Sequence, residues 1–242
     1  MKDTALCALA ASAWPADRGP GWQQMLPRML RSASHPSETV TIAAPAMLAD
    51  TLIAPALPRL LQQDPSMRVR LASRRAADEL TGSVDATICL APVDAPPALR
   101  AMRIATLRHV ICASRELIHA HGEPRTPEDL DPEVCIGVID ARGEPAPWKL
   151  RHGRMQITIH PASPLAFGEP RSAVAAAVHG GGFVCALDLA VESQIAAGLL
   201  QPVLHDWRAP DHAVWLTYNG ALTEEIQHIA AFVAGLLPAK TL

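Results

Sequence analysis

From Thr39 to Leu90 the chain reads TVTIAAPAMLADTLIAPALPRLLQQDPSMRVRLASRRAADELTGSVDATICL, and the apolar period in this stretch alternates between that of a strand and that of a helix. VTIA alternates and stops at Pro45, which predicts a first strand. Leu52, Leu57, Leu60 and Leu61 then mark a helix; Pro55 and Pro58 within it predict a bend, or prolines confined to early turns. MRVRLAS, from Met67 to Ser73, alternates again, Ala76 to Gly82 reads as a short helix closed by glycine, and DATICLA has the continuous apolar run of a buried strand. Strands and helices alternating this closely predict the α/β class with a mostly parallel sheet.

The remaining sequence extends the pattern. MRIATL and HVICAS, between Met102 and Ser114, are strand-like runs with little between them. After them come a helix over Arg115 to His121, a TPEDL turn at Thr126 to Leu130 and a strand over Cys135 to Ile139. WKLRHGRMQITIH reads as a hairpin turning at His152-Gly153. A helix from Arg171 to His179 runs into Gly180 to Gly182, which can end it and re-aim the chain into the strand FVCAL. Leu189 to Ala197 is a helix closed by Gly198, HAVWLTY is a strand, and Leu222 to Leu237 is a helix with Ile226, Ile229, Phe232, Val233 and Leu236 on one face.

Composition excludes several classes. A chain of 242 residues with 49% apolar and 19% charged residues can bury a sizeable core, which argues for a soluble globular protein over a disordered one. Its net charge of −3 gives no global attraction to phosphate backbones, so weak DNA binding is expected of this chain alone. The five cysteines are widely spaced, without CxxC, and Cys89, Cys112, Cys135 and Cys185 lie in apolar runs, as buried reduced thiols do. No apolar run reaches the roughly 20 residues of a membrane helix. Lys2 followed by an alanine-rich run to Ala13 imitates a signal peptide, but Asp3 offsets the charge and the run has little leucine.

Order and spacing from about residue 36 to 238 resemble the effector-binding domain of LysR-type transcriptional regulators. The marks are the opening block, RTPEDL at Arg125 to Leu130, GGGFVCALDLAVESQIAAGLLQPVLHDW at Gly180 to Trp207, and the closing strand and helix. The resemblance implies two α/β lobes joined by two crossover strands, with a cleft between lobes, as in type 2 periplasmic binding proteins. It divides the chain into an N-terminal extension and linker remnant (1–38), lobe I (39–110 plus 212–242) and lobe II (111–211). In that family a winged helix-turn-helix precedes such a stretch; nothing before Thr39 supplies one here, so a ligand sensor without its own DNA reader is expected. The implied partners are a small organic effector such as a carboxylate and a second subunit, either an identical chain or a full-length LysR-type regulator. The helix from about Asp50 to Gln63 is expected to pack antiparallel on the Arg171 to His179 helix of that subunit. Contact with DNA would run only through the missing helix-turn-helix. A cytoplasmic, non-enzymatic protein without cofactor follows; the alternative is a periplasmic solute-binding protein of the same architecture.

In open α/β sheets ligands lie beyond the carboxyl ends of strands, where helix N-termini expose N–H groups and a partial positive charge. The first strand ends at Ala44-Pro45 and its helix opens at Ala46-Met47, where the resembling family usually offers a hydroxyl; this sequence has none, leaving backbone N–H groups. Ser73, Arg74 and Arg75 follow the second strand, Ala91-Pro92 the third. The second lobe adds Asp140, Phe167, Gly168 and Arg171. Arg74, Arg75 and Arg171 are the sharpest candidates, because a guanidinium beside a helix N-terminus suits a carboxylate. Met47 and Phe167 would be apolar walls or core. Asp188 reads as a helix cap or a hydrogen-bond acceptor. His119 and His121 point apart on a helix, so no metal set forms, and no GxSxG or phosphate-cradling loop supplies a catalytic signature.

Overall fold

The computed structural model describes residues 39–73, 84–90, 99–140, 142–219 and 222–237. The sequence readings for residues 1–38, the Ala76 to Gly82 helix, Arg74, Arg75, Ala91 and Pro92 lie outside the described residues. The chain divides into two compact units, one formed by residues through Thr106 and from His212 onward, the other by Leu107–Asp211.

The first unit opens with β1 (Thr39–Ala44), buried at every position after Thr39. Its sequence alternates, yet both faces are covered, as befits a strand flanked by β2 (Arg68–Ser73) and β3 (Ala86–Cys89), both parallel to it. Between β1 and β2 the chain is helical in three pieces: α1 (Ala46–Leu48), a π-helical turn (Ala49–Ile53) and α2 (Ala54–Gln63). A proline ring clashes with the carbonyl four residues before it, which for Pro55 is Thr51. The wider π turn, where the Ala54 N–H donates to Ala49 five residues back, falls at this point. The predicted bend therefore takes the form of a local widening. β4 (Leu99–Leu107) is the strand through which the chain leaves this unit.

The second unit begins with β5 (His109–Ala113), the centre of a three-stranded sheet. His109 and Val110 belong here and not with the first lobe, because they pair with Leu187 and Ala186. Ser114 caps α3 (Arg115–His121), its Oγ accepting the Leu117 N–H at 3.2 Å. In RTPEDL the Asp129 carboxylate accepts the N–H groups of Arg125 (2.9 Å) and Thr126 (2.8 Å), closing a 3₁₀ turn and holding its own pKa below the usual carboxylate range. The predicted Cys135 to Ile139 strand shortens to β6 (Gly137–Val138), with single bridges on either side, Cys135 to Phe183 and Ile139 to Pro145. β7 (Trp148–His152) and β8 (Met155–Ile159) form the hairpin; its turn is Gly153-Arg154, since His152 still pairs with Met155. β9 (Ala166–Phe167) pairs parallel with β6 and leads into α4 (Pro170–Val178).

Two glycine signals act as predicted. Gly180 has φ 78° and donates to Ala177 while Gly181 donates to Ala176, a Schellman closure of α4 before β10 (Val184–Leu187). Gly198, φ 71°, ends α5 (Asp188–Ala196) the same way, with Gly198 and Leu199 donating to Ile195 and Gln194. Asp188 is the first helical residue and not the cap, which is Leu187. β11 (Gln201–Val203) and β10 both run antiparallel to β5, so this sheet departs from the parallel expectation. β10 and β11, joined through α5, keep the common direction of a βαβ unit, and β5 between them runs against both.

The return strand β12 (His212–Asn219) rejoins the first sheet, in the order β2-β1-β3-β12-β4, antiparallel to β3. α6 (Glu224–Leu236), capped by Thr223, buries Ile226, Ile229, Ala230 and Val233. Phe232 and Leu236 are only half-buried.

Candidate functional site

Within the first unit the strand ends meet as the sequence implies. Ala44 stands opposite Ser73 in the β1–β2 ladder, and Pro45 turns the chain into Ala46 at the head of α1. The Ala49 N–H returns to Pro45 at 2.9 Å, and the Thr51 hydroxyl donates to the Met47 carbonyl at 2.6 Å. Met47 is 6% exposed and belongs to the core, so it serves packing. Ala46 and Ser73 are half-buried at the rim of that sheet. Arg74 and Pro92 fall outside the described residues.

Within the second unit the structure brings Asp140, Phe167, Gly168 and Arg171 into one neighbourhood. β6 and β9 run side by side, Val138 faces Phe167, and the Ile139 N–H donates to the Phe167 carbonyl at 2.8 Å. Asp140 and Gly168 thus leave adjacent strand ends. Phe167 packs partly against the cluster formed by Ile136, Ala173, Val174 and Val184. Gly168 is exposed, with nothing within 4 Å of where a side chain would begin. Two residues on, Pro170 opens α4 at a position whose N–H would have no partner inside the helix, and Arg171 follows, exposed.

Asp140 is committed to its own loop. Its Oδ2 accepts Nε (3.0 Å) and Nη2 (2.9 Å) of Arg142, and its Oδ1 accepts the Arg142 backbone N–H (2.8 Å). These contacts hold its carboxyl below the usual range, first through the guanidinium. A carboxylate so engaged orders a turn and places the exposed Arg142 beside the strand end. Strand-end position does not point to Arg142; its signal is the short spacing Asp140-x-Arg142-Gly143, in which a carboxylate folds back on residues just after it.

A second concavity lies elsewhere in the same unit. A cavity of about 330 Å³ is lined by Ser114, Glu116, His179, Gly180, Gly198 and Leu199, at the C-terminal ends of α4 and α5. Arg171 lies about 10 Å from it along α4, seven residue steps at roughly 1.5 Å each to Val178, which also lines it. No predicted ligand residue lines it, and no periodicity announces it, because it forms between two Schellman turns. Among the described residues no group of three or more His, Cys, Asp or Glu side chains is placed to hold a metal ion. No described helix is long and apolar enough to cross a membrane.

Cys112, Cys135 and Cys185 are free thiols, and burial pushes each up to about 12. Thiols this far from ionisation are poor nucleophiles.

Comparison with known proteins gives concordant findings. Residues 33–237 match the LysR substrate binding domain. The HTH-type transcriptional regulator DmlR of Escherichia coli (strain K12) is 31% identical over 173 residues, covering 71% of this chain and 55% of that protein. The chain thus spans about half the length of the curated relatives it matches. The regulatory domain of AphB in Vibrio vulnificus superposes with a TM-score of 0.65 at 22% identity, over 82% of this chain and 98% of that one. The full-length Vibrio cholerae virulence activator AphB gives 0.70 at 19% identity, over 89% of this chain and 74% of that one.

Proposed function

Since the chain belongs to the LysR substrate-binding domain family, we propose that it is an effector sensor that adjusts transcription when a small organic acid occupies the strand ends described above. The carrying observation is the family match over residues 33–237, most of the chain. The chemistry supports the acid: Arg171 supplies paired donors at the head of α4, and the Gly168 approach is open on the protein side. Ala46 and Ser73 are the corresponding candidates in the first unit. The curated relatives are transcriptional regulators, so a periplasmic solute-binding role is not favoured. A cytoplasmic, non-enzymatic role accords with those relatives.

The sensor acts as a pair of subunits in this reading, either two copies of this chain or one copy with a full-length regulator. The helix from Asp50 to Gln63 packs antiparallel on α4 of the second subunit. Both helices have an outward face suited to this: Arg59 and Leu61 on α2, Ser172 and Ala175 on α4 are exposed, and alanine permits close approach. Arg171 is four residues from Ala175 and shares that side of α4, so its roles in ligand binding and in pairing must be separated.

The test is a thermal-shift screen of the purified chain against small carboxylates, amino acids and aromatic acids, with mass in solution recorded alongside. A ligand that binds only the folded state raises the melting temperature by mass action. A shift with an organic acid on a dimer supports the reading; no shift with any of them, on a monomer, removes both the ligand class and the pairing.

A further inference from the structure

The β7–β8 hairpin has two faces of opposite character. Trp148, Leu150 and Ile159 point inward and are at most 6% exposed, in one cluster with Trp207. Alternation along a strand sends Lys149 and Arg151 the other way, and both are exposed. Opposite them on β8 stand Thr158 and Gln156, also exposed.

A third cation joins this face from outside the hairpin. Arg208 bonds to Arg151 in both directions, each N–H donating to the other's carbonyl at 2.9 Å. Residues that exchange both bonds sit directly opposite with Cα atoms about 5.5 Å apart and side chains on one face. Lys149 lies two residues along, about 6.7 Å away. Like charges directly opposite in a ladder destabilise it. Among the described residues none of the three side chains has an ion-pair partner. Asp206, in the turn before Arg208, is the nearest acid in sequence, and the hairpin strands themselves carry none.

We propose that this face docks on the phosphodiester backbone of duplex DNA. Three cations repeat along and across an exposed ladder, which fits a row of phosphates better than one small anion that a nest of converging N–H groups would hold. An acidic protein segment fits less well. Stable protein interfaces are centred on desolvated apolar anchors, and Lys149, Arg151, Gln156, Thr158 and Arg208 offer none, whereas DNA interfaces are polar, cationic and wet. With a net charge of −3 on the whole chain, the contact is weak, sequence-independent and salt-sensitive. It goes beyond effector sensing and does not depend on it.

Fluorescence anisotropy of the purified chain with a labelled duplex of arbitrary sequence, over a range of salt concentrations, tests this. Three neutralised phosphates give a slope of log K against log salt of about −2.7, and each of Lys149→Gln, Arg151→Gln and Arg208→Gln takes about 0.9 from it. Arg115→Gln, an exposed arginine on α3, leaves the slope unchanged. Because Arg208→Gln also relieves the like-charge pair, its melting temperature is equal to or above that of the parent, so lost binding is not lost folding. No binding at low salt, an unchanged slope in the triple variant, or equal affinity for a polyglutamate peptide of matched charge overturns the proposal, the last in favour of a protein partner.

Discussion

The junctions β1 to α1 and β9 to α4 are built alike and filled differently. Each is a strand end followed by a proline at the mouth of a helix, Pro45 as the residue before α1 and Pro170 as the first residue of α4. At the first, Ala44 is fully buried, Met47 is core and the nearby hydroxyl of Thr51 is turned to a carbonyl. At the second, Gly168 and Arg171 are exposed and Arg142, in the turn after the neighbouring strand end, is bonded to Asp140. One topology therefore serves packing in one unit and leaves charged side chains exposed in the other, so strand-end position alone does not make a binding residue.

The strongest way to break this contrast is to truncate each side. Met47→Ala should cost about 2–5 kcal/mol of stability in a denaturant titration, as deletion of a buried methionine does. Arg171→Ala should stay within about 0.5 kcal/mol of the parent, as exposed positions usually do. Equal losses would abolish the distinction. Next in size, Gly182→Ala probes what supports the second junction from the far end of α4. With φ 148° and a Cβ that would lie 2.5 Å from the Val134 carbonyl oxygen, alanine there should cost about 1–3 kcal/mol by overpacking alone. Ser114→Ala removes the cap of α3 and should cost about 1 kcal/mol, visible as a lower melting temperature.

The smallest effects near neutrality are those of pH. A thiol whose folded pKa is raised contributes stability that is present below the unfolded value and lost as pH rises through it toward about 12. Cys112 and Cys135, both fully buried, should accordingly resist a thiol reagent at pH 8 until denaturant is added; rapid labelling of either in the native chain would contradict their burial. Asp129 and Asp140 have the opposite sign. Their depressed pKa values give a contribution present above the unfolded carboxylate range and lost as pH falls through the folded one, measurable as a drop in melting temperature in acid.

Local signals carried far in this chain. Glycines placed the ends of α4 and α5, alternation placed β2 and the hairpin, and one apolar stripe placed α6. Three things were not legible. The π turn falls just before Pro55, whose ring would clash with a carbonyl four residues back, and propensity does not register that the ladder widens there. The antiparallel direction of β5 and β12 comes from pairing with strands far away in the sequence. The cross-strand neighbour of Arg151 is Arg208, 57 positions away and outside any pattern in the hairpin. The candidate site divides similarly: the register joins Phe167 to the Asp140 strand end, but only the coordinates show that Asp140 is spent on Arg142.

The most direct test of the account is the affinity of the parent and of Arg171→Ala for small organic acids, by titration calorimetry over a panel that includes benzoate and succinate, with mass in solution measured on both proteins. The account predicts that the parent binds at least one acid, that the variant binds it more weakly by about 1.5–3 kcal/mol, and that the two proteins have the same mass in solution. Equal affinity of parent and variant, or an unbound panel, would contradict it.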